Sequence, residues 1–285
     1  MADDSTPAVS TPAVSTPDVA DLVDALIIGA GVSGMYQLYR LRELGMQVQV
    51  LEAGSGVGGT WYWNRYPGAR FDSESYTYGY SWSQELLEEW DWKERFSPQP
   101  ENLRYLETVA DKFDLRPHIR FDTRVASAHY DAEHNVWLTT TDDGVQFRST
   151  FLITAIGALS VPVLPAIEGR DLFEGPSFHT SNWPKEPIDF TGKRVAVLGT
   201  GATAVQLIPE VARTAGTLTI FQRTPNWCAP LHNGPIDQAE MDDIKARYTE
   251  IFDTCNSTFA GFEHIPDRRK ALESTPEERE ELWEE

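Results

Sequence analysis

The chain has 285 residues, 24% of them charged and 11% aromatic, with a formal net charge of −20, which is enough for one large or two medium domains with a real core. That negative balance argues against nucleic-acid backbones and anionic membrane surfaces as partners, although a helix N-terminus can still bind a small anionic cofactor through its backbone N–H groups. Its two cysteines, Cys228 and Cys255, stand far apart without CxxC spacing, so no disulfide framework, zinc site or redox dithiol is expected, and reduced thiols fit a cytoplasmic protein.

Residues 1–19 repeat STPAV, STPAV and STPDV. With no basic n-region and no apolar h-region this is not a signal peptide, and its composition predicts a disordered tail. Order is expected from near Asp24. DALIIG (Asp24–Gly29) reads as a buried strand, Val32–Leu44 as a helix closed by Gly45, and MQVQVLEAG as a strand ending at Glu52, together a βαβ unit. Gly56–Tyr80 is loop-rich and aromatic. PQPENLRYLETVADKFDL predicts a helix with Leu103, Leu106, Val109, Ala110 and Phe113 on one face. TRVASAHY, NVWLTTT, QFRS and FLITAIG follow as four short strands, with turns at Asp131–Asn135 and Asp142–Gly144.

After the connector VPVLPAIEG and the string FEGPSFHTSNWP a second unit starts: strand RVAVLG, turn GTGATA, a helix to about Ala215 and strand TLTIFQR. Beyond Asn226 the segments become helical, acidic and amphipathic, and Thr275-Pro276-Glu277-Glu278 forms a capping box. The fold class is α/β, with two Rossmann-like dinucleotide-binding domains and the start of a helical insertion. The expected division is 1–19 tail, 20–160 first nucleotide domain, 161–226 first half of the second, and 227–285 insertion. With no later strands to complete the second sheet, the sequence reads as the N-terminal part of a longer protein.

The two glycine turns carry the chemistry. Gly29-Ala30-Gly31-Val32-Ser33-Gly34 is GxGxxG between strand and helix: Gly29 allows the tight turn, Gly31 the approach of a pyrophosphate, and Gly34 close packing of the helix. Glu52, ending the next strand, can accept from both ribose hydroxyls and would repel a 2′-phosphate. The second turn, Gly199-Thr200-Gly201-Ala202-Thr203-Ala204, is followed by FQRTPN, which puts Arg223 and Thr224 where the first unit has Glu52. A guanidinium and a hydroxyl suit a 2′-phosphate, favouring NADP(H) over NAD(H); the plainer alternative is Arg223 as a solvated strand-end charge. Two dinucleotide folds in one chain suggest a flavin and a nicotinamide, FAD first and NADPH second. Without a dithiol to take electrons, oxygen becomes the expected acceptor.

GGTWYWNRYPGARFD (Gly58–Asp72), the AIG of LITAIG and above all FEGPSFHTSNWP, which fits FxGxxxHTxxWP at every fixed position, resemble the Baeyer–Villiger monooxygenases, class B flavoproteins. The resemblance runs from about Asp24 to Glu285, and TPNWCAPLH through GFEHIPDRR looks nearest the cyclopentadecanone and steroid monooxygenase branch. It implies FAD held by Gly29, Gly31, Ser33, Gly34, Glu52, Thr60, Trp61, Tyr62 and Trp63, with Asp72 and Tyr78 near the isoalloxazine and Val125 near the adenine. It implies NADPH held by Arg70, Phe71, the Gly199–Ala204 turn (Gly199, Thr200, Gly201, Ala202, Thr203, Ala204), Gln206, Arg223 and Thr224. Asp72 and His179 are the implied catalytic residues, His179 linking the nucleotide domains and setting the nicotinamide pose.

The implied reaction passes hydride from NADPH to FAD, forms a flavin C4a-peroxide with O2 and inserts oxygen beside a ketone carbonyl, giving an ester or lactone. The family's arginine for that step would lie past Glu285; Arg268, Arg269 and Arg279 are not in a matching context. No metal, nucleic acid or membrane is expected as a partner. Plainer readings stay open: Trp61, Trp63 and Tyr66 as core, Arg70 with Asp72 as a surface ion pair, His179 as a satisfied buried histidine. Two alternatives at the level of function are N- or S-oxygenation by a flavin-containing monooxygenase and a catalytically silent FAD-binding fragment.

Overall fold

A computed structural model describes residues 19–264 and 272–284; the STPAV repeats and Arg268 and Arg269 lie outside the described residues. In chain order the elements are β1 (Val19–Ile28), α1 (Val32–Glu43), β2 (Val48–Leu51), α2 (Thr60–Trp63), α3 (Ser75–Tyr78), α4 (Gln84–Glu89), α5 (Gln99–Lys112), β3 (Ile119–Arg120) and β4 (Val125–Asp131). Then come β5 (Val136–Thr141), β6 (Gln146–Thr154), β7 (Arg194–Leu198), α6 (Ala202–Ala212), β8 (Thr217–Phe221), α7 (Gln238–Ser257) and α8 (Pro276–Glu284). They form two compact units, each discontinuous in sequence. The first takes residues up to Pro67, Pro100–Arg194 and Thr214–Thr217; the second takes Gly68–Gln99, Val195–Arg213 and Leu218–Glu285. The expected α/β class holds.

The first unit is built on a six-stranded sheet in the order β3-β2-β1-β6-β5-β4. β3, β2, β1 and β6 run parallel, while β6, β5 and β4 form an antiparallel meander. Ala25, Leu26 and Ile27 of β1 are wholly buried in succession, as expected of a strand covered on both faces. β1 begins at Val19 rather than near Asp24, because it pairs with β6 from Val19↔Gln146 to Ile28↔Thr154. The same pairing makes QFRS and FLITAIG one strand instead of two. The helix expected over residues 98–115 forms as α5 and buries Leu106, Val109 and Ala110 as foreseen, adding Tyr105. At the turns, Asn135 and Gly144 take positive φ, 55° and 87°.

In the second unit β7 and β8 form a two-stranded sheet, and α6 between them buries Ala204, Leu207 and Val211. α6 stops at Ala212, slightly short of the expected Ala215. α7 is capped by Asp237, whose carboxylate accepts from Glu240 N–H at 2.9 Å. It turns a helical stripe of Met241, Ile244, Tyr248, Ile251 and Cys255 inward, packing on α3 and α4. α8 opens with the expected capping box: Glu278 N–H donates to Thr275 Oγ1 at 3.2 Å and Thr275 N–H to Glu278 Oε2 at 2.8 Å. Among the described residues no helix is long and apolar enough to cross a membrane.

Lys245 of α7 ties down the end of α4, its Nζ donating to Glu88 O at 2.6 Å and to Asp91 Oδ1 at 2.5 Å. That bond holds the Asp91 carboxyl below the usual carboxylate range. A carboxyl depressed on folding stabilises the fold above its unfolded pKa and loses that contribution as pH falls through the folded value. Lys245→Met is therefore expected to cost up to about 1 kcal/mol at neutral pH. The difference from wild type should shrink below about pH 4, as urea unfolding across pH would show.

Candidate functional site

The first glycine turn joins β1 to α1. Gly34 sits so close under it that a methyl group there would stand 1.9 Å from Gly29 O, so only glycine lets the helix start where it does. Gly31 differs: its φ is −79°, and a methyl there would meet nothing nearer than Gly59 Cα at 3.4 Å. Neither backbone conformation nor packing demands a glycine at Gly31. Its bare surface instead leaves room for a group from outside the chain. Gly31 is also the N-cap of α1 and brings no side-chain cap, the arrangement that suits a phosphate.

Glu52 is 5% exposed and braces this turn. Its Oε2 accepts from Ala30 N–H and its Oε1 from Gly54 N–H, each at 2.7 Å. Each carboxylate oxygen keeps a second acceptor site, so ribose hydroxyls can still be bound there. Ala30 O accepts from Gly58 N–H at 3.0 Å, which places α2, with Thr60 and the buried Trp61, against the turn. Tyr62 turns its hydroxyl to Ser55, 3.1 Å from the N–H and 2.7 Å from Oγ; the Ser55 hydrogen bond lowers the pKa of the phenol. The Trp63 ring meets Tyr62 edge-on at 4.9 Å. Thr123 N–H donates to Glu52 O and Asp122 N–H to Gly54 O, at 2.8 and 3.0 Å, drawing the chain just before Val125 to the same end of the sheet. Ser33 is exposed on α1.

The second turn, in the second unit, repeats the pattern. Gly201 caps α6 with φ −71° and no side-chain cap, and a methyl there would meet nothing within 4 Å. Ala202 and Thr203 open the helix, and Ala204 is buried where the first turn needs Gly34. Two residues beyond β8 hold the loop: Gln222 Nε2 donates to Thr200 Oγ1 at 2.9 Å and Asn226 Nδ2 to Thr200 O at 2.6 Å. Arg223 and Thr224 between them are exposed. Gln222 and Asn226 were not singled out from sequence; their position flanking the strand-end cation was the available signal.

The segment GARFD also belongs to the second unit. Phe71 is core, 3% exposed, with Tyr78 against its ring at 3.9 Å. Arg70 Nη1 donates to Glu94 Oε2 at 3.2 Å and Phe96 O at 3.3 Å, and Glu94 also accepts from Asn233 Nδ2 at 2.6 Å. The Asp72 carboxylate is exposed and accepts from Gln206 Nε2 at 2.7 Å.

His179, in the first unit, caps a short 3-10 turn, Thr180–Asn182. Its Nδ1 accepts from Ser181 N–H at 3.2 Å and lies 2.7 Å from Ser181 Oγ, which leaves the proton of the neutral ring on Nε2. Trp183 of the same string lies 5.7 Å from the Phe178 ring and 6.4 Å from Phe190 just beyond it. Cys228 is exposed and Cys255 buried, both free.

The sequence pattern of the family described as pyridine nucleotide-disulphide oxidoreductase matches residues 26–254. The 2-oxo-Δ3-4,5,5-trimethylcyclopentenylacetyl-CoA monooxygenase of Pseudomonas putida is 48% identical over 92% of this chain and 49% of its own length. The phenazine N-monooxygenase of Lysobacter antibioticus is 43% identical over 92% of this chain and 48% of its own. A crystal structure of OTEMO in complex with FAD and NADP superposes with a TM-score of 0.87 at 48% identity, covering 92% of this chain and 50% of that one. Relatives of 41% to 47% identity are named Baeyer–Villiger monooxygenase, cyclohexanone 1,2-monooxygenase and steroid monooxygenase. The chain thus spans about half the length of the relatives it matches. It belongs to the pyridine nucleotide-disulphide oxidoreductase family, in the branch that holds the Baeyer–Villiger monooxygenases.

Proposed function

We propose that the chain binds FAD at the β1–α1 turn and NADPH at the β7–α6 turn, as part of a monooxygenase that places one atom of O2 beside a ketone carbonyl and gives an ester or lactone. The observation that carries this is the pair of caps, Gly31 and Gly201, whose glycines neither backbone nor packing requires. Beside the first stands a buried carboxylate; beside the second, an exposed guanidinium. Each fits its nucleotide: Glu52 takes ribose hydroxyls and repels a 2′-phosphate, while Arg223 with Thr224 takes one. The cofactors would supply hydride and oxygen activation. The chain's own part is to bind and orient them: α1 and α6 meet the pyrophosphates, Thr60, Trp61 and Trp63 wall the flavin side, and Val125 lies toward the adenine. Asp72 presents a carboxylate fixed by Gln206, and His179 presents an oriented Nε2–H. A small ketone and O2 are the partners, and the cytoplasm the location.

The test takes the natural protein that contains this chain, with NADPH and a panel of cyclic ketones, amines and sulfides. Lactone formation supports the reading; oxidised amines with no lactone from any ketone would overturn it. The amines belong in the panel because one relative is named for oxygenation at a phenazine nitrogen. A chain that holds FAD which neither NADPH nor NADH reduces would instead mark a silent FAD-binding fragment. Arg223→Ala should weaken NADPH about 10- to 100-fold, the scale of a lost charged hydrogen bond, and leave NADH nearly unchanged. Equal losses for both would remove Arg223 from the site.

A further inference from the structure

Gln206 lies in the second turn of α6, just after the Gly199–Ala204 loop, yet its amide faces back into the protein. Oε1 accepts from Arg70 N–H at 3.3 Å, and Nε2 donates to Arg70 O at 3.2 Å and to Asp72 Oδ1 at 2.7 Å. One side chain thus reads both backbone groups of Arg70, as a neighbouring strand would, and adds a charge-assisted bond to Asp72. The chain is pressed onto the helix at the same place: Gly68 has φ +84°, and a methyl there would stand 2.3 Å from Gln206 O. On the other side, Phe71 N–H donates to Ser97 O at 3.1 Å and Gln99 N–H to Ala69 O at 2.8 Å. GARFD is therefore held between α6 and the 97–99 segment, and Gln206 is what fixes the direction of the Asp72 carboxylate.

We infer that Gln206 is a positioning residue: it locks Arg70 and Asp72 to the helix whose N-terminus meets the nicotinamide dinucleotide, so that occupancy of the second glycine turn and the orientation of Asp72 are coupled. This rests on the proposed cofactor sites for its consequence, but not for the clamp itself. Gln206 acts through Arg70 and Asp72: its Oε1 serves Arg70 N–H, while its Nε2 is shared between Arg70 O and Asp72. Gln206→Leu removes every bond. Gln206→Glu keeps an acceptor for Arg70 N–H but removes the donor and sets a second carboxylate against Asp72.

The experiment uses the full chain, first without cofactors and then loaded with FAD. Amide exchange should show Arg70 N–H protected in wild type, about tenfold faster in Gln206→Leu, the scale of one lost hydrogen bond, and still protected in Gln206→Glu. In the loaded chain NADP+ should perturb the flavin absorption spectrum in wild type and do so weakly or not at all in Gln206→Glu. Adding Asp72→Asn to Gln206→Glu restores a hydrogen bond with donor and acceptor exchanged, and should return the unfolding midpoint toward wild type. Unchanged Arg70 exchange in Gln206→Leu, or a wild-type NADP+ response in Gln206→Glu, overturns the inference. Should Gln206→Leu fail to fold, Gln206→Glu and its double variant still decide. A wild-type chain that takes up neither FAD nor NADP+ overturns the cofactor reading instead, and the exchange result still judges the clamp.

Discussion

Gly34→Ala is expected to cost the first unit about 3 kcal/mol or more, at or beyond the usual range for overpacking. The added methyl would stand 1.9 Å from Gly29 O and 3.0 Å from Gly29 C, and both are backbone atoms of the turn itself, so no side chain can swing away. Either α1 moves off β1 and β2 or the turn opens. Against a total stability of about 5–15 kcal/mol, that is enough to populate opened forms. Gly31→Ala and Gly201→Ala are the matched controls. Each adds the same methyl where the chain has room, so each should unfold like wild type, the first losing FAD and the second NADP+. Urea unfolding together with flavin retention separates the three. If Gly34→Ala folds normally and only loses FAD, the close packing described for the turn is wrong.

What the sequence made legible follows from how local each signal is. The turn, its helix and Glu52 lie within one βαβ unit, where glycine spacing and strand alternation speak directly. The stripe Leu106, Val109 and Ala110 was visible because helical periodicity is a local pattern. The start of β1 at Val19 was not, since it depends on a partner strand more than a hundred residues away at Gln146. Nor was the placement of residues 68–99 with α6 and α7. The contacts that hold them there are a glutamine amide on Arg70 and Asp72, an Arg95–Glu240 pair and Lys245 on Asp91, and single polar bonds across long separations leave no periodic trace. Trp92, 2% exposed in an irregular stretch, is equally silent in sequence. The candidate site divides in the same way: its two glycine caps could be read from spacing, and the Gln206, Gln222 and Asn226 side chains around the second could not.

Glu52→Gln should weaken FAD about 10- to 100-fold and also lower the stability of the first unit. In sequence Glu52 reads purely as a ribose ligand, which would leave folding untouched by its loss. In the structure both its oxygens are already occupied by Ala30 N–H and Gly54 N–H at 2.7 Å, with the side chain 5% exposed. An amide has only one oxygen, so whichever way it is turned its NH2 faces one of those donors, leaving a buried N–H unsatisfied at a cost of about 1–3 kcal/mol. The same substitution loosens Ala30, which lies inside the turn that the pyrophosphate would meet, and replaces a charged acceptor for the ribose hydroxyls by a neutral one. Affinity and stability therefore fall together. Glu52→Ala should exceed Glu52→Gln in both, because both N–H groups then lose their partner. The measurements are flavin fluorescence quenching for affinity and urea unfolding without FAD for stability. A Glu52→Gln protein that binds FAD poorly but unfolds like wild type would return Glu52 to a ligand alone; one that is destabilised yet binds FAD normally would make it a brace alone. The bonds to Ala30 and Gly54 supply the brace, and the proposed FAD site adds the ligand.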